Sequence, residues 1–460
     1  MTRRKPSSSR SAVTRLAVSK PVALAVPEIV RLEREVEAQF RPQMCAELER
    51  RIAAMAEAQP RNAPRCEQCG AAMESRGLAT VSWLSRFGRI CARVRGYRCR
   101  PCKRGCRPLL AALGVEVGRV SGSLARLLAL LGVIVPYEMA ARLCGEFFGV
   151  EVSAMCVWRC VQRFGEALAQ EEEALARYHE DPHAEARVAA DPPRIVVAAA
   201  DGCALGMQVR AKRRRRRTAD EILPPLEPLE EGHFREVKTG VLLAAQERVE
   251  TSPGRRSVVR RHLVTCLDDA DAVFARLWAK LCELGWHGTQ TVVVVVGDGA
   301  EWIWNRAAMF PNHVEILDFW HAIEKAWEFA RLRHGDGSKV ADRWIHRLAG
   351  DLRAGKVAAV IARLEALPLA GAELVAKRDE LVRYYTGNAC RMRYDEYLRC
   401  GYGIGSGAVE SAHKQVVHAR MRQAGMRWSV AGARRLLALR VLLLSGDWKR
   451  LDTLRMSPAA

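Results

Sequence analysis

Three carboxylates and four thiols in this 460-residue chain stand at positions where side chains of their type can do chemistry. Asp201 ends the run Ile195-Val196-Val197-Ala198-Ala199-Ala200, and Asp298 follows Val292-Val293-Val294-Val295-Val296-Gly297. Apolar runs of this kind, β-branched in the second, predict strands covered on both faces. Gly202, Gly297 and Gly299 free the backbone to turn beside each acid. Glu410 comes after the loop Gly401-Tyr402-Gly403-Ile404-Gly405-Ser406-Gly407, one turn into a helix that Ser406 is expected to cap and that also bears His413 and Lys414. Two strand-end aspartates and a helix-borne glutamate form a hard oxygen set of the kind Mg2+ (or Mn2+) takes. Two such ions about 3.5–4 Å apart can activate an attacking oxygen and stabilise the leaving one at phosphorus. Lys414, Arg420, Arg422 and Arg427 follow closely and are expected to bind the flanking phosphates of DNA.

The thiols form two CxxC turns, Cys66-Glu67-Gln68-Cys69 and Cys99-Arg100-Pro101-Cys102. Each supplies half of a tetrahedral Zn2+ shell. Between them Val81, Trp83, Ile90, Ala92, Val94 and Tyr97 alternate with polar residues, so residues 62–110 read as a zinc-ribbon-like module. Cys91 and Cys106 remain as substitute ligands or bystanders. Arg86, Arg89, Arg93, Arg95 and Arg98 ride on the same module and can meet phosphates.

The elements that must position these groups follow from periodicity and breaks. Residues 1–61 read as a disordered Ser/Arg-rich start and one or two amphipathic helices from Pro27 to about Ala58. Within 111–166, a helix after Pro136, a turn at Gly149–Val152 and Ser153 as the cap of a second helix make a helix-turn-helix pattern. Arg159, Gln162 and Arg163 lie off the apolar face of Val157, Val161 and Phe164 and are the expected groove-facing side chains. An acidic helical linker, 167–193, ends at Asp191-Pro192-Pro193. Strands then alternate with helices over 194–321, which means an α/β core with a mixed sheet. Residues 322–400 are helical by period, and 401–460 carries the Glu410 helix and a basic C-terminal helix. The five arginines 213–217 sit in a polar excursion read as a solvated loop.

Charge agrees with a polyanionic partner: 73 Lys and Arg against 52 Asp and Glu, a net +21. No apolar run approaches the ~18 residues of a membrane span. The start has no cleavable apolar leader, so a soluble cytoplasmic, nucleoid-associated protein is expected. Fifteen cysteines then argue for metal ligands and buried thiols over a disulfide framework. No P-loop, GxSxG elbow or nicotinamide fingerprint is present.

Gly297-Asp298-Gly299-Ala300-Glu301-Trp302-Ile303-Trp304, Asp318-Phe319-Trp320-His321 and the run from Gly403 to Ser429 (GIGSGAVESAHKQVVHARMRQAGMRWS) carry a resemblance. The chain resembles DDE transposases of bacterial insertion sequences, the ISKra type allied to Mutator-like transposases, over roughly residues 64–448. The resemblance implies an RNase H-like core with an all-α insertion at 322–400. It implies a catalytic triad of Asp201, Asp298 and Glu410, with His321 of the DxxH motif touching substrate or steadying a carboxylate. Asp318 reads equally as the cap of the following helix. The implied activity is binding of terminal inverted repeats and metal-dependent strand cleavage and transfer into target DNA, by a homo-oligomer. The competing readings are a sequence-specific DNA-binding regulator with an inactive core and a nuclease of the same fold without strand transfer.

Overall fold

A computed structural model of the chain describes residues 27–58, 62–115, 120–181, 183–208, 233–252, 255–258, 260–454. The Ser/Arg-rich start and the arginine run 213–217 lie outside them. The chain divides into two compact units, one formed by the residues up to Ser82 with Phe87–Leu109, the other by Trp83–Arg86 and the chain from Leu110 onward.

The first unit holds helix α1 (Glu28–Ala58) and a sheet of order β1-β2-β3, with β1 Glu74–Ser85, β2 Gly88–Arg98 and β3 Gly105–Cys106. The period-2 alternation of β2 turns Ile90, Ala92 and Val94 inward and Arg89, Cys91 and Arg93 to solvent; it breaks at Arg95–Gly96, after which Tyr97 is buried. The second half of α1 packs on β2 and buries Ile52. Its first half leaves Ile29, Leu32, Val36 and Phe40 exposed.

A turn of helix, α2 (Pro108–Ala112), spans the boundary at Leu109, and the second unit goes on with α3 (Gly122–Ile134), α4 (Tyr137–Phe148) and α5 (Ala154–Glu180). Gly149 ends α4 in the left-handed conformation (φ 58°), and the Ser153 hydroxyl accepts the Cys156 amide to start α5. The sequence boundary at 166/167 falls inside α5, which runs unbroken through the acidic stretch and packs against α15 (Val430–Leu444). The reason is Gly165: a Cβ there would lie 2.4 Å from the Arg435 carbonyl, so only glycine lets the two helices approach this closely. The acids of α5 meet the C-terminal arginines, with Glu166–Arg435 at 2.5 Å, Glu173–Arg434 at 3.3 Å and Glu171–Arg450 at 2.6 Å. Part of the basic C-terminal block is therefore neutralised within the chain.

The main sheet has five strands in the order β10-β9-β4-β5-β8. These are β4 (Ile195–Gly206), β5 (Phe234–Ala244), β8 (His262–Leu267), β9 (Val292–Gly297) and β10 (His313–Leu317); β6 (Arg248–Ser252) and β7 (Arg255–Val258) form a separate hairpin. β4, β5 and β8 pair antiparallel, while β9 and β10 run parallel to β4. Val293 to Val296 are all 3% exposed or less. Each valine so buried contributes about 1.5 kcal/mol or more relative to exposure, which holds this register at the centre of the core. Helix α6 (Ala270–Glu283) packs on β5 and β8, α7 (Glu301–Ala307) joins β9 to β10, and α15 packs on β8.

Residues 322–400 are helical as expected, with α8 (Phe319–His334), α9 (Lys339–Arg353), α10 (Val357–Glu365), α11 (Ala372–Asn388) and α12 (Tyr394–Arg399). The chain returns through α13 (Gly407–His413), a π-helical turn over Lys414–His418, and α14 (Ala419–Met421), one continuous helical run. The buried Arg440 of α15 fits this wider turn. Its guanidinium donates to the carbonyls of Gln415 and Val416 (2.6 Å), and to that of Val133 (2.7 Å) on α3.

Candidate acidic site and thiolate cluster

The parallel pairing decides where the acids lie. β4 and β9 pair in parallel as far as Ala199 and Val296, so Asp201 and Asp298 each stand two residues beyond the last pair, on the same side of the sheet's end. β10 pairs through Leu317 and Gly297, so Asp318 falls beside Asp298. Asp298 and Asp318 thus follow the ends of β9 and β10, whereas Asp201, expected at a strand end, lies inside β4, which continues to Gly206 through its antiparallel pairing with β5. Helix α13 packs over β4 and β5 and brings Glu410 and His413, three residues apart and so on one face, to the same edge.

Asp201 is half-buried. One carboxylate oxygen accepts the Gly202 amide (2.7 Å), and the other faces His413 Nδ1 at 3.2 Å. Burial works to raise its pKa, but the hydrogen bond and charge of His413 outweigh it and hold the carboxyl below its ordinary value. Asp298 Oδ1 accepts the Ala300 amide (3.0 Å), while its own carbonyl accepts the Tyr384 hydroxyl (2.6 Å) from α11. Gly299, at φ 104°, lets Tyr384 come this close, since a Cβ would stand 2.8 Å from that ring. The all-helical segment thereby steadies the turn carrying Asp298.

Asp318 is both helix cap and part of the site. It is fully buried, with Oδ1 accepting the Trp320 (2.6 Å) and His321 (3.2 Å) amides and Oδ2 accepting the Ser406 amide (2.5 Å). The Ser406 side chain makes no cap bond, so the expected hydroxyl cap is replaced by a backbone amide given to Asp318. His321 Nδ1 is 3.6 Å from Asp318 Oδ2, an ion-pair distance rather than a hydrogen bond. That partner, against the cost of burial, pushes the His321 pKa up to about 9, with Asp298 adding to the effect. Ligand atoms of Asp318, His321 and Glu410 lie within 4.8 Å of one another. Asp298 Oδ2 and both oxygens of Glu410 carry no hydrogen bond among the described residues, which suits hard oxygen donation to a divalent cation.

The role of His413 beside Asp201 had little signal in the sequence: it carries no motif, and only its spacing from Glu410 hints at a shared face.

In the first unit the four cysteines Cys66, Cys69, Cys99 and Cys102 bring their sulfurs within 4.8 Å of one another, with Cys69 and Cys99 3.5 Å apart. Tetrahedral Zn2+ with Zn–S near 2.3 Å needs sulfurs roughly 3.8 Å apart, so the cluster can hold zinc. The two turns share a geometry. Cys66 N donates to Ala71 O and Cys99 N to Arg104 O, each at 2.8 Å, with the left-handed residues Gly70 (φ 70°) and Lys103 (φ 57°) following the second cysteines. Amides of Cys69 and Gln68 lower the Cys66 thiol to about 7, while its neighbour Cys69 and burial push Cys102 up to about 12. Cys91 is exposed on the outer face of β2; Cys106 Sγ approaches the Met73 sulfur at 3.5 Å.

Two of the expected DNA contacts are corrected. Gln162 is buried (8% exposed) and accepts from Arg435 Nη1 at 3.0 Å, because α15 covers that side of α5. Arg420 is 1% exposed, donates to the Gly132 carbonyl (3.1 Å) and lies over the rings of Tyr137 and Trp428. Neither reaches a groove as a surface contact. Arg159, Lys414 and Arg422 are exposed, and Arg163 and Arg427 are half-exposed.

No protein-family model and no curated protein sequence matches this chain. A solved structure, the Drosophila P element transposase strand transfer complex, is similar over 76% of this chain and 84% of that chain, at 11% identity and a TM-score of 0.25. Among the described residues no helix is long and apolar enough to cross a membrane.

Proposed function

We propose that the chain is a DDE transposase of an insertion sequence, which binds terminal inverted repeats and carries out metal-dependent strand cleavage and transfer. The observation that supports this reading is the parallel pairing of β4 with β9, which ends two residues before Asp201 and Asp298, with α13, the helix of Glu410, packed over β4 and β5. The strand order β8-β5-β4-β9-β10, three antiparallel and two parallel, supports an RNase H-like core, with 322–400 as its all-α insertion.

On this reading Asp201, Asp298 and Glu410 hold the catalytic cations. Bound there, a Mg2+ or Mn2+ pair supplies activation of the attacking oxygen and stabilisation of the leaving one. His413 keeps the Asp201 carboxylate turned toward the site, and Tyr384 fixes the backbone that presents Asp298. His321 brings a positive imidazole to the acidic row at neutral pH. Exposed Lys414 and Arg422 bind the flanking phosphates, Arg159, Arg163 and Arg427 further DNA, and the four thiolates carry structural Zn2+. Bringing two element ends together calls for at least a dimer on DNA.

Asp298→Ala tests the reading on DNA carrying the element's own ends. Cleavage and joining should fall at least about a thousandfold while end binding persists. Unchanged product yield would dismiss the acidic site. Cleavage without joining by the unaltered chain would mean a nuclease, and binding without either, a regulator.

A further inference from the structure

A cavity of about 560 Å3 opens in the second unit between the start of α5 and the loop joining α14 to α15. Its walls include Tyr137, Trp158, Met426 and Trp428, and its lining also includes Gln162 and Arg420. Three of these are aromatic. Trp158 is 40% exposed, and Trp428 is held by its indole N–H donating to the Met421 carbonyl at 2.9 Å.

The polar groups at the cavity are unusual. Gln162 is more than nine-tenths buried and its Oε1 is taken by Arg435; its Nε2 faces the Tyr137 hydroxyl, but neither atom closes a full hydrogen bond. A buried amide N–H without a full acceptor is costly, and a ligand acceptor would complete it. Arg420 is buried beside it with no carboxylate within ion-pair distance among the described residues, its guanidinium 5.0 Å from the Tyr137 ring centre and 5.5 Å from that of Trp428. The pocket therefore offers flat π surfaces, a cation and donors.

We propose that this cavity takes an unpaired nucleobase, stacked against the aromatic walls with its acceptor edge toward Gln162 and Arg420. A planar heterocycle matches the walls, since every base has a π-face that stacks on aromatic side chains. Donors on the protein side select acceptors on the base, so guanine (O6, N7) and thymine (O2, O4) suit it better than adenine, whose exocyclic amine would meet the Gln162 amide. The base can come from a DNA strand or from a free nucleotide, and the strand source rests on the transposase reading.

Three probes distinguish the outcomes: a duplex with one unpaired guanine or thymine, the same duplex fully paired, and free dGMP. Binding is read by fluorescence anisotropy with the zinc-loaded full chain and no added Mg2+. A preference of about tenfold or more for the unpaired over the paired duplex is expected, lower with unpaired adenine. Trp158→Ala, at a half-exposed position, should bring that ratio to near one, as should Gln162→Met, which keeps the volume. Photo-crosslinking of 4-thiothymine at the unpaired position should label the peptide carrying Trp158 or Trp428. Competition by dGMP that Trp158→Ala abolishes would assign the pocket to a mononucleotide, supporting the nucleobase site. Equal affinity for paired and unpaired probes with no dGMP binding would overturn the inference while leaving the transposase reading intact. Loss of all DNA binding with dGMP still bound would do the reverse.

Discussion

Asp201 takes hydrogen bonds from two donors of different kinds, the amide of the next residue and the imidazole of His413 on α13. The first is guaranteed by the local turn, the second only by the packing of α13 on the sheet. Groups that orient a metal-binding carboxylate typically matter by 10–100-fold. His413→Ala is therefore expected to lower strand cleavage by about that factor, and to raise the Mg2+ concentration for half-maximal cleavage while DNA binding stays. His262 is a residue whose effect is on stability. It is 2% exposed on β8, and burial, with Arg260 and Lys280 nearby, lowers its pKa to about 4; Asp447 and Glu283 oppose this. The folded state keeps the ring neutral where the unfolded chain, near 6.5, binds a proton. The unfolded state thus holds more protons between those values, and stability falls as pH drops from about 6.5 to about 4. The contribution is intact above that window. Urea midpoints at pH 7 and pH 5 should differ less in His262→Leu than in the natural chain.

At the scale of elements, locally determined features were legible in sequence. The valine run reads as a covered strand because nothing else accommodates five β-branched residues, and β9 is that strand. Gly149 and Ser153 announce the turn between α4 and α5 because left-handed backbone and amide capping are single-residue properties. The CxxC pairs were legible for the same reason. Side-chain burial was not, since amphipathic spacing marks the apolar stripe of α5 but not which polar positions another helix covers. Gln162 is buried on that account, Arg420 of α14 is buried because nearness to Glu410 in sequence says nothing of exposure, and the continuity of α5 through residue 166 is hidden by the change to acidic composition. The thiolate cluster makes a prediction at this scale. Removing metal with a strong chelator, or substituting Cys66→Ser, should release one Zn2+ per chain. Hydrogen-exchange protection should then be lost over residues 62–107 while β4 and β9 stay protected. Absence of zinc from the purified chain under reducing conditions would refute it.

Over the whole molecule, a net +21 overstates what is free to meet DNA. Arg434, Arg435 and Arg450 pair with the acids of α5, and Arg440 is spent on carbonyls. The salt dependence of end binding separates the two classes. Arg159→Ala and Lys414→Ala, both at exposed positions, should each reduce the slope of log K against log salt by about one. Arg434→Gln should leave that slope alone. Equal slopes for all three would mean that DNA lies on another face.

The π-helical turn at Lys414–His418 sets the rotational phase between Glu410 and everything after it. A wider turn advances fewer degrees per residue, so five residues there leave the helix about a quarter-turn behind an α-helix of equal length. Arg440, wedged against Gln415 and Val416, keeps that lag in place. The direction in which the glutamate points is therefore written partly in α15, in a side chain that never nears the acids, and drift in that wedge would rotate the site out of alignment before disturbing any of its members.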